Sequence, residues 1–247
     1  MMLRRGRNLR RFLVAILVIG VLIGVGSSWR TIAVAWKHRA GRKAHAVGDD
    51  AGALEQFLAA ERLDPRDAET QFLLVRTYRR LGRANEMTGR LQQARDCGLP
   101  VQRLERELIL AKAQSGLLAQ LEPALPKMLT SAGEDGPEIC SAFVSGYMQN
   151  YEFEKAGQIL KAWIGDYPND PEPRIAFGKI SLHFNNYPEA EKEFRLALKL
   201  CPEYRGAVAL LGEALVEQKK YQEALPLLQN ERHRDASAAR RRLLEAQ

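Results

Sequence analysis

One helical phrase is written several times in this chain. It appears as DDAGALEQFLAAERLDP (49–65), YEFEKAGQILKAWIGDYP (151–168), NNYPEAEKEFRLALKLCP (185–202) and KKYQEALPLLQNE (219–231). Ala156, Ala190 and Ala224 are 34 residues apart, and the same step from Ala53 reaches Met87 and Leu121. A single step of 35, from Leu121 to Ala156, joins the two series into one register of six units. Four residues after each marker stands a large apolar residue: Phe57, Leu91, Leu125, Leu160, Phe194 or Leu228. Seven after it stand Ala60, Ala94, Met128, Trp163 and Ala197, with Glu231 the charged exception. Twelve before it Gly41, Gly178 and Gly212 recur, nine before it Tyr78 and Tyr147, and twelve after it Pro65, Pro168 and Pro202. A period of this length constrains the fold strongly. One helix hairpin cannot bury its apolar face alone, so stacked copies must bury each other's and repeat the same interface chemistry.

The pattern resembles the tetratricopeptide repeat (TPR) family: 34-residue units, two antiparallel helices each, small residues where the helices cross, and Pro at the end of the second. The resemblance covers about residues 34–235 and is sharpest from Ala156 onward. It implies an all-α, right-handed α-solenoid of about six TPR-like hairpins, centred near 53, 87, 121, 156, 190 and 224 and spanning 30–235. Residues 236–247, with Arg240–Arg242 for water and Leu243-Leu244 for packing, read as a capping helix. Pro123 and Pro126 fall within the third unit's second helix and are expected to bend or shorten it, and Pro226 raises the same expectation in the sixth.

The N-terminus is of another kind. The first 47 residues hold ten of the 37 Lys/Arg and none of the 30 Asp/Glu, so the remaining chain is slightly acidic. The net charge of +7 therefore does not describe a nucleic-acid-binding face. After the basic flank 1–11, residues 12–29 contain FLVAILVIGVLIGVG followed by Ser27, Ser28 and Trp29. Eighteen helical residues span about 27 Å, close to a bilayer core of about 30 Å. This reads as a transmembrane anchor, with Trp29 and Trp36 where an interfacial aromatic belt would sit. A cleaved signal peptide, with Ala33-Val34-Ala35 as the site, and a twin-arginine signal at Arg10-Arg11 are the competing readings. Gly20, Gly24 and Ser28 line one face at spacing four, which suits close approach of two spans and hence a homo-oligomer. The expected location is a single-pass protein of a bacterial inner membrane with its C-terminal domain periplasmic, and membrane lipids around the anchor.

No phosphate loop, HExxH, CxxC or nucleophile elbow occurs. Cys97, Cys140 and Cys201 lack metal-site spacing and read as small core residues. His38 and His45 share a helix face without a third ligand. No catalytic residue, metal or cofactor is expected.

The family presents the first helix of each hairpin to a concave groove. Carried onto this chain, the groove positions include His38, Arg42 and His45; Glu69, Phe72, Arg76, Arg79 and Arg80; Arg103, Arg106 and Leu110. They continue with Glu138, Ser141, Ser145 and Met148; Glu172, Ile175 and Lys179; and Glu213 and Glu217. The groove is then basic in its N-terminal half, and apolar and acidic in its C-terminal half. Two readings stand side by side. In one, Arg42, Arg76, Arg79, Arg80, Arg103 and Arg106 capture an acidic peptide segment of a protein partner, with Phe72 as apolar anchor. In the other, the arginines form a solvated face or lie on anionic headgroups. Members of the family that bind chaperone tails use a Lys/Asn clamp; its asparagines are absent here, and that specificity is not carried over. The function expected is a membrane-anchored scaffold or assembly factor that captures partner segments. The alternative is a permanent structural subunit of an envelope membrane complex.

Overall fold

The computed structural model describes residues 29–229. The apolar stretch 12–28, the glycine face Gly20/Gly24/Ser28 and the expected capping helix 236–247 lie outside the described residues. Among those described there is no strand, and no helix is long and apolar enough to cross a membrane.

The helices pair in sequence. Helix α1 (29–46) precedes α2 (Asp50–Leu63); α3 (Ala68–Arg80) packs on α4 (Ala84–Asp96). Helix α5 (Val101–Gln114) is followed by a 3₁₀ turn (Glu122–Ala124) and the six-residue α6 (Leu125–Thr130). Then come α7 (Gly136–Gln149) with α8 (Phe153–Asp166), α9 (Glu172–His183) with α10 (Tyr187–Leu200), and α11 (Ala207–Glu217) with α12 (Tyr221–Gln229). The third unit is the irregular one. Pro123 and Pro126 each remove an amide donor, and a full second helix cannot form across them. Pro226 lies inside α12, which continues through it.

The interval has a geometric cause. Each hairpin turn contains one residue in the left-handed region, and these residues keep the register: Gly48, Gly82, Gly116, Tyr151, Asn185 and Lys219, with φ between 55° and 81°. Each turn also closes with the same pair of bonds. At the second, Gly82 N donates to Arg79 O and Arg83 N to Tyr78 O, both 2.9 Å. At the fourth, Tyr151 N donates to Met148 O and Glu152 N to Tyr147 O. This Schellman arrangement satisfies the last carbonyls of the first helix and turns the chain back on itself.

The small residues of the pattern permit the crossing. A Cβ built on Gly41 would stand 2.3 Å from the Phe57 ring, on Gly178 2.3 Å from the Phe194 ring, and on Gly212 2.5 Å from Leu228. The residue twelve before each marker thus meets the residue four after it. The markers Ala53, Ala156, Ala190 and Ala224 are fully buried in the same seam, and Met87 nearly so. Between units, a Cβ on Gly146 would meet the carbonyl oxygen of Ala113, so α5 and α7 touch backbone to side-chain position.

The stack also returns on itself. The turn between α1 and α2 meets the start of the sixth unit: Arg205 N donates to Val47 O at 2.6 Å, the Arg205 guanidinium pairs with Asp49, and the Tyr204 ring covers Gly48.

Candidate functional site

Because the two ends meet, the first helices of the units face one another across a narrow interior. Arg80, at the end of α3, reaches three elements: Nε donates to Asp50 at 2.9 Å, one terminal nitrogen to Glu138 at 3.0 Å, and the other to Glu172 at 3.3 Å. Arg79 donates to Glu107 at 2.7 Å, to Gln114 at 3.1 Å and to Glu138. Arg76 donates to the other Glu107 oxygen and to Asp135, both at 2.8 Å. Arg106 closes on Asp135 at 2.7 Å. Glu69 bridges Arg42 at 2.8 Å and Arg103 at 3.1 Å. Glu107 is wholly buried, and both of its carboxylate oxygens accept from a guanidinium.

Burial disfavours every charge in this cluster, yet the pairing prevails. Desolvation would raise the Glu138 pKa, but the guanidiniums of Arg79, Arg80 and Arg76 pull it down to about 2. Burial would lower the Arg76 and Arg80 pKa values, but the surrounding carboxylates push both upward. The fork of each arginine meets carboxylates with short, directional hydrogen bonds, the condition under which a buried ion cluster is tolerated.

The arginines expected to line the groove are paired within the chain. All six arginines assigned to partner capture are held by the chain's own carboxylates. Arg79 is almost fully enclosed, and only Arg42, Arg103 and Arg106 keep substantial exposure. Phe72 is 3% exposed and lies beneath Arg76 and Arg103, whose guanidinium carbons stand 4.6 and 3.7 Å from its ring centre. It is roofed by cations and offers no apolar anchor. The physical reason is the return of the chain on itself: Asp135, Glu138 and Glu172 of the later units meet Arg76, Arg79, Arg80 and Arg106, while Asp50, Glu69 and Glu107 supply the remaining carboxylates from the arginines' own half.

His38 and His45 are structural. His38 Nε2 lies 2.7 Å from Thr70 Oγ1 and His45 Nε2 2.9 Å from Thr77 Oγ1, a two-rung ladder between α1 and α3. Phe57 packs against both rings. Burial lowers the His38 pKa. No group of His, Cys, Asp and Glu among the described residues could hold a metal ion. Burial also pushes the Cys140 thiol up to about 12.

Beyond the ion cluster the interior stays open. A pocket of about 300 Å³ lies between α7 and α9, lined by Ser141, Val144, Ser145, Met148, Ile175 and Lys179, with Glu172 and Tyr204 at its margin. These include six groove positions that the repeat pattern assigns to the fourth and fifth units. Ser141 donates to Glu172 at 2.6 Å and Glu172 is tied to Arg80, so one wall is fixed. Lys179 is exposed and has no carboxylate partner among the described residues. The pocket can seat a small apolar side chain against Val144, Met148 and Ile175 and offer one ammonium to an acceptor.

A second feature lies on the turn edge. Tyr151, Phe153, His183 and Phe184 form a mutual cluster with ring centres 4.5–6.0 Å apart, and Tyr151 and Phe184 are largely exposed. Sequence reasoning missed it because its members come from two turns, 34 residues apart. The shortened third unit leaves a further hollow of about 670 Å³ beside Leu117 and Asn150, where the Lys155 ammonium is already paired with Glu122 and Glu152.

No family model and no curated protein matches the chain. Among solved structures it is similar to TTC0263, a thermophilic TPR protein of Thermus thermophilus: 19% identity, 87% of this chain and 98% of that one covered, TM-score 0.42. It is similar to YrrB, described as a TPR protein with an unusual peptide-binding site: 16% identity, 83% and 87% covered, TM-score 0.36. A third is the TPR2AB domain of yeast Sti1 in complex with pHSP90: 15% identity, 85% and 95% covered, TM-score 0.39.

Proposed function

We propose that this chain is a protein-interaction module, tethered to a bacterial inner membrane by residues 12–29, that captures a short segment of a partner protein on its inner face. The receptor is the pocket between α7 and α9. The observation that supports it is the contrast within the interior: the arginines are satisfied by internal carboxylates, whereas Lys179 stands without a carboxylate partner, among the described residues, beside an apolar recess. A partner segment with one carboxylate and one apolar side chain matches that pair of features. Tethering would raise the local concentration of the module around membrane partners. No covalent chemistry is involved.

The alternative, a fixed subunit of an envelope membrane complex, is favoured by a different observation: the exposed ring cluster of Tyr151, Phe153, His183 and Phe184. Tyr151 holds φ 61°, a conformation that costs a non-glycine residue about 1–2 kcal/mol. A photoactivatable residue at Ser145 of the full-length protein, irradiated in cells, tests between them. A defined envelope protein crosslinked at Ser145 and lost in Lys179→Glu supports capture. Crosslinks from a second variant carrying the photoactivatable residue at Phe184, with none from Ser145, refute capture and leave the fixed subunit.

A further inference from the structure

Helix α1 has two opposite faces, and only one of them belongs to the solenoid. At about 100° per residue, Val34, His38, Gly41 and His45 fall on one side; Val34 is buried, and His38, Gly41 and His45 pack toward α2 and α3. Trp29, Ile32, Trp36, Arg39 and Lys43 fall on the other, within an arc of roughly 80°. That second face is open. Trp36 is 72% exposed, Trp29 70% and Ile32 51%, and Arg39 and Lys43 are exposed and have no carboxylate partner among the described residues. Exposed tryptophan is costly in water, and two on one face with an isoleucine between them are not scattered surface hydrophobics.

We propose that this face of α1 lies on the surface of an anionic phospholipid bilayer, so that the solenoid is seated against the membrane in one orientation rather than hung from it. The inference rests on the anchor reading above and deepens it. Three observations commit the face to lipid. The chain enters α1 directly from the uncharged stretch 12–28, which places Trp29 at the edge of any bilayer that stretch occupies. The residues are those of an interfacial helix: indole rings at headgroup depth, with cations on the same arc to meet lipid phosphates. Among the described residues these two cations also have no carboxylate partner of the kind that holds each interior arginine. A helix rising upright from the bilayer would lift Trp36 about 10 Å above Trp29, out of reach of acyl chains. A helix lying along the surface keeps both rings at one depth.

The experiment uses the full-length chain reconstituted in phosphatidylcholine vesicles with and without phosphatidylglycerol, with brominated acyl chains as quencher. The chain has three tryptophans, and Trp163 is sealed in the core, so it supplies a constant background. Trp29→Phe isolates Trp36, and Trp29→Phe/Trp36→Phe gives the background. The expected result is loss of Trp36 emission with brominated lipid, stronger with phosphatidylglycerol, and weakened by Arg39→Glu/Lys43→Glu. Protein that resists alkaline extraction while Trp36 is quenched by aqueous acrylamide and not by lipid would keep the anchor and overturn the seating. Trp36 shielded from both quenchers would assign the face to protein, a second copy or residues 230–247, and also overturn it. Protein that never sediments with vesicles would overturn the anchor itself.

Discussion

Replacing Gly178 by alanine isolates the contact on which the repeat depends. In a helix interior this change is ordinarily favourable by about 1 kcal/mol. Here the new Cβ would stand 2.3 Å from one carbon of the Phe194 ring and 2.7 Å from two others. Ordinary carbon contacts are about 3.5–4.0 Å, so ring and helix must part by over ~1 Å. Phe194 is fully buried among Ala190, Ala197, Leu211 and Leu215, which leaves it nowhere to go. Overpacking costs about 1–3 kcal/mol, and contacts this short put it at about 2–3 kcal/mol, so after the helix gain of about 1 kcal/mol a net loss of about 1–2 kcal/mol is expected. Gly157→Ala in α8 is the internal control, because nothing lies within 4 Å of its added Cβ. It should gain about 1 kcal/mol. At about 2–4 °C per kcal/mol for a chain of this size, the two melting temperatures should differ by roughly 4–12 °C. Thermal melts of the full chain in mild detergent, followed by circular dichroism, read the difference. Phe194→Leu should relieve Gly178→Ala, so that the double variant loses less than the two single losses combined. Gly178→Ala melting at or above wild type, or strict additivity with Phe194→Leu, would refute the idea that the missing side chain makes room for the ring.

Other parts of the molecule give sharper tests of its electrostatics and turns. Glu107→Ala removes the carboxylate that Arg76 and Arg79 share and leaves them Asp135 and Glu138, so it should cost about 3 kcal/mol in urea unfolding, the low end for a broken buried pair. Glu138 is held at about 2 in the fold against an ordinary 4.5, so its contribution is complete above about pH 4.5 and drains away as pH falls toward 2. Glu138→Gln should therefore flatten the loss of stability between about pH 5 and pH 3. Lys219→Gly, at φ 60°, should raise stability by about 1 kcal/mol, whereas Gly82→Ala at φ 69° should lower it, both read from melts.

The seam of the fold was legible in the residues. Gly41, Gly178 and Gly212 stand twelve before the markers because Phe57, Phe194 and Leu228 stand four after them, and the prolines at 123 and 126 marked the broken unit. The turns were only half legible. Gly48, Gly82 and Gly116 advertise a left-handed residue, but Tyr151, Asn185 and Lys219 take the same conformation without a side chain that announces it. The basic groove positions were legible, but their pairing with Glu107, Glu138 and Glu172 was not. Whether Arg80 meets Glu138 and Glu172 or a partner depends on how far the small unit-to-unit rotations accumulate, and no local pattern encodes that sum. The pairing of His38 and His45 with Thr70 and Thr77 was hidden for a related reason: each bond spans one unit, 32 residues, outside any helical window.

The bond from Arg205 to Val47 changes what kind of object the stack is. An open array behaves like a one-dimensional chain, in which each unit feels only its neighbours and the ends melt first. Here a contact across more than 150 residues ties the first turn to the sixth unit. Opening the first turn or the start of the sixth unit must break this contact. The array becomes a loop with a fixed number of members: removing or adding one unit would leave Val47 and Arg205 facing nothing. Closure also puts a long-range step into folding, after the local hairpins have formed, and lends the whole an all-or-none character that its modular sequence does not suggest.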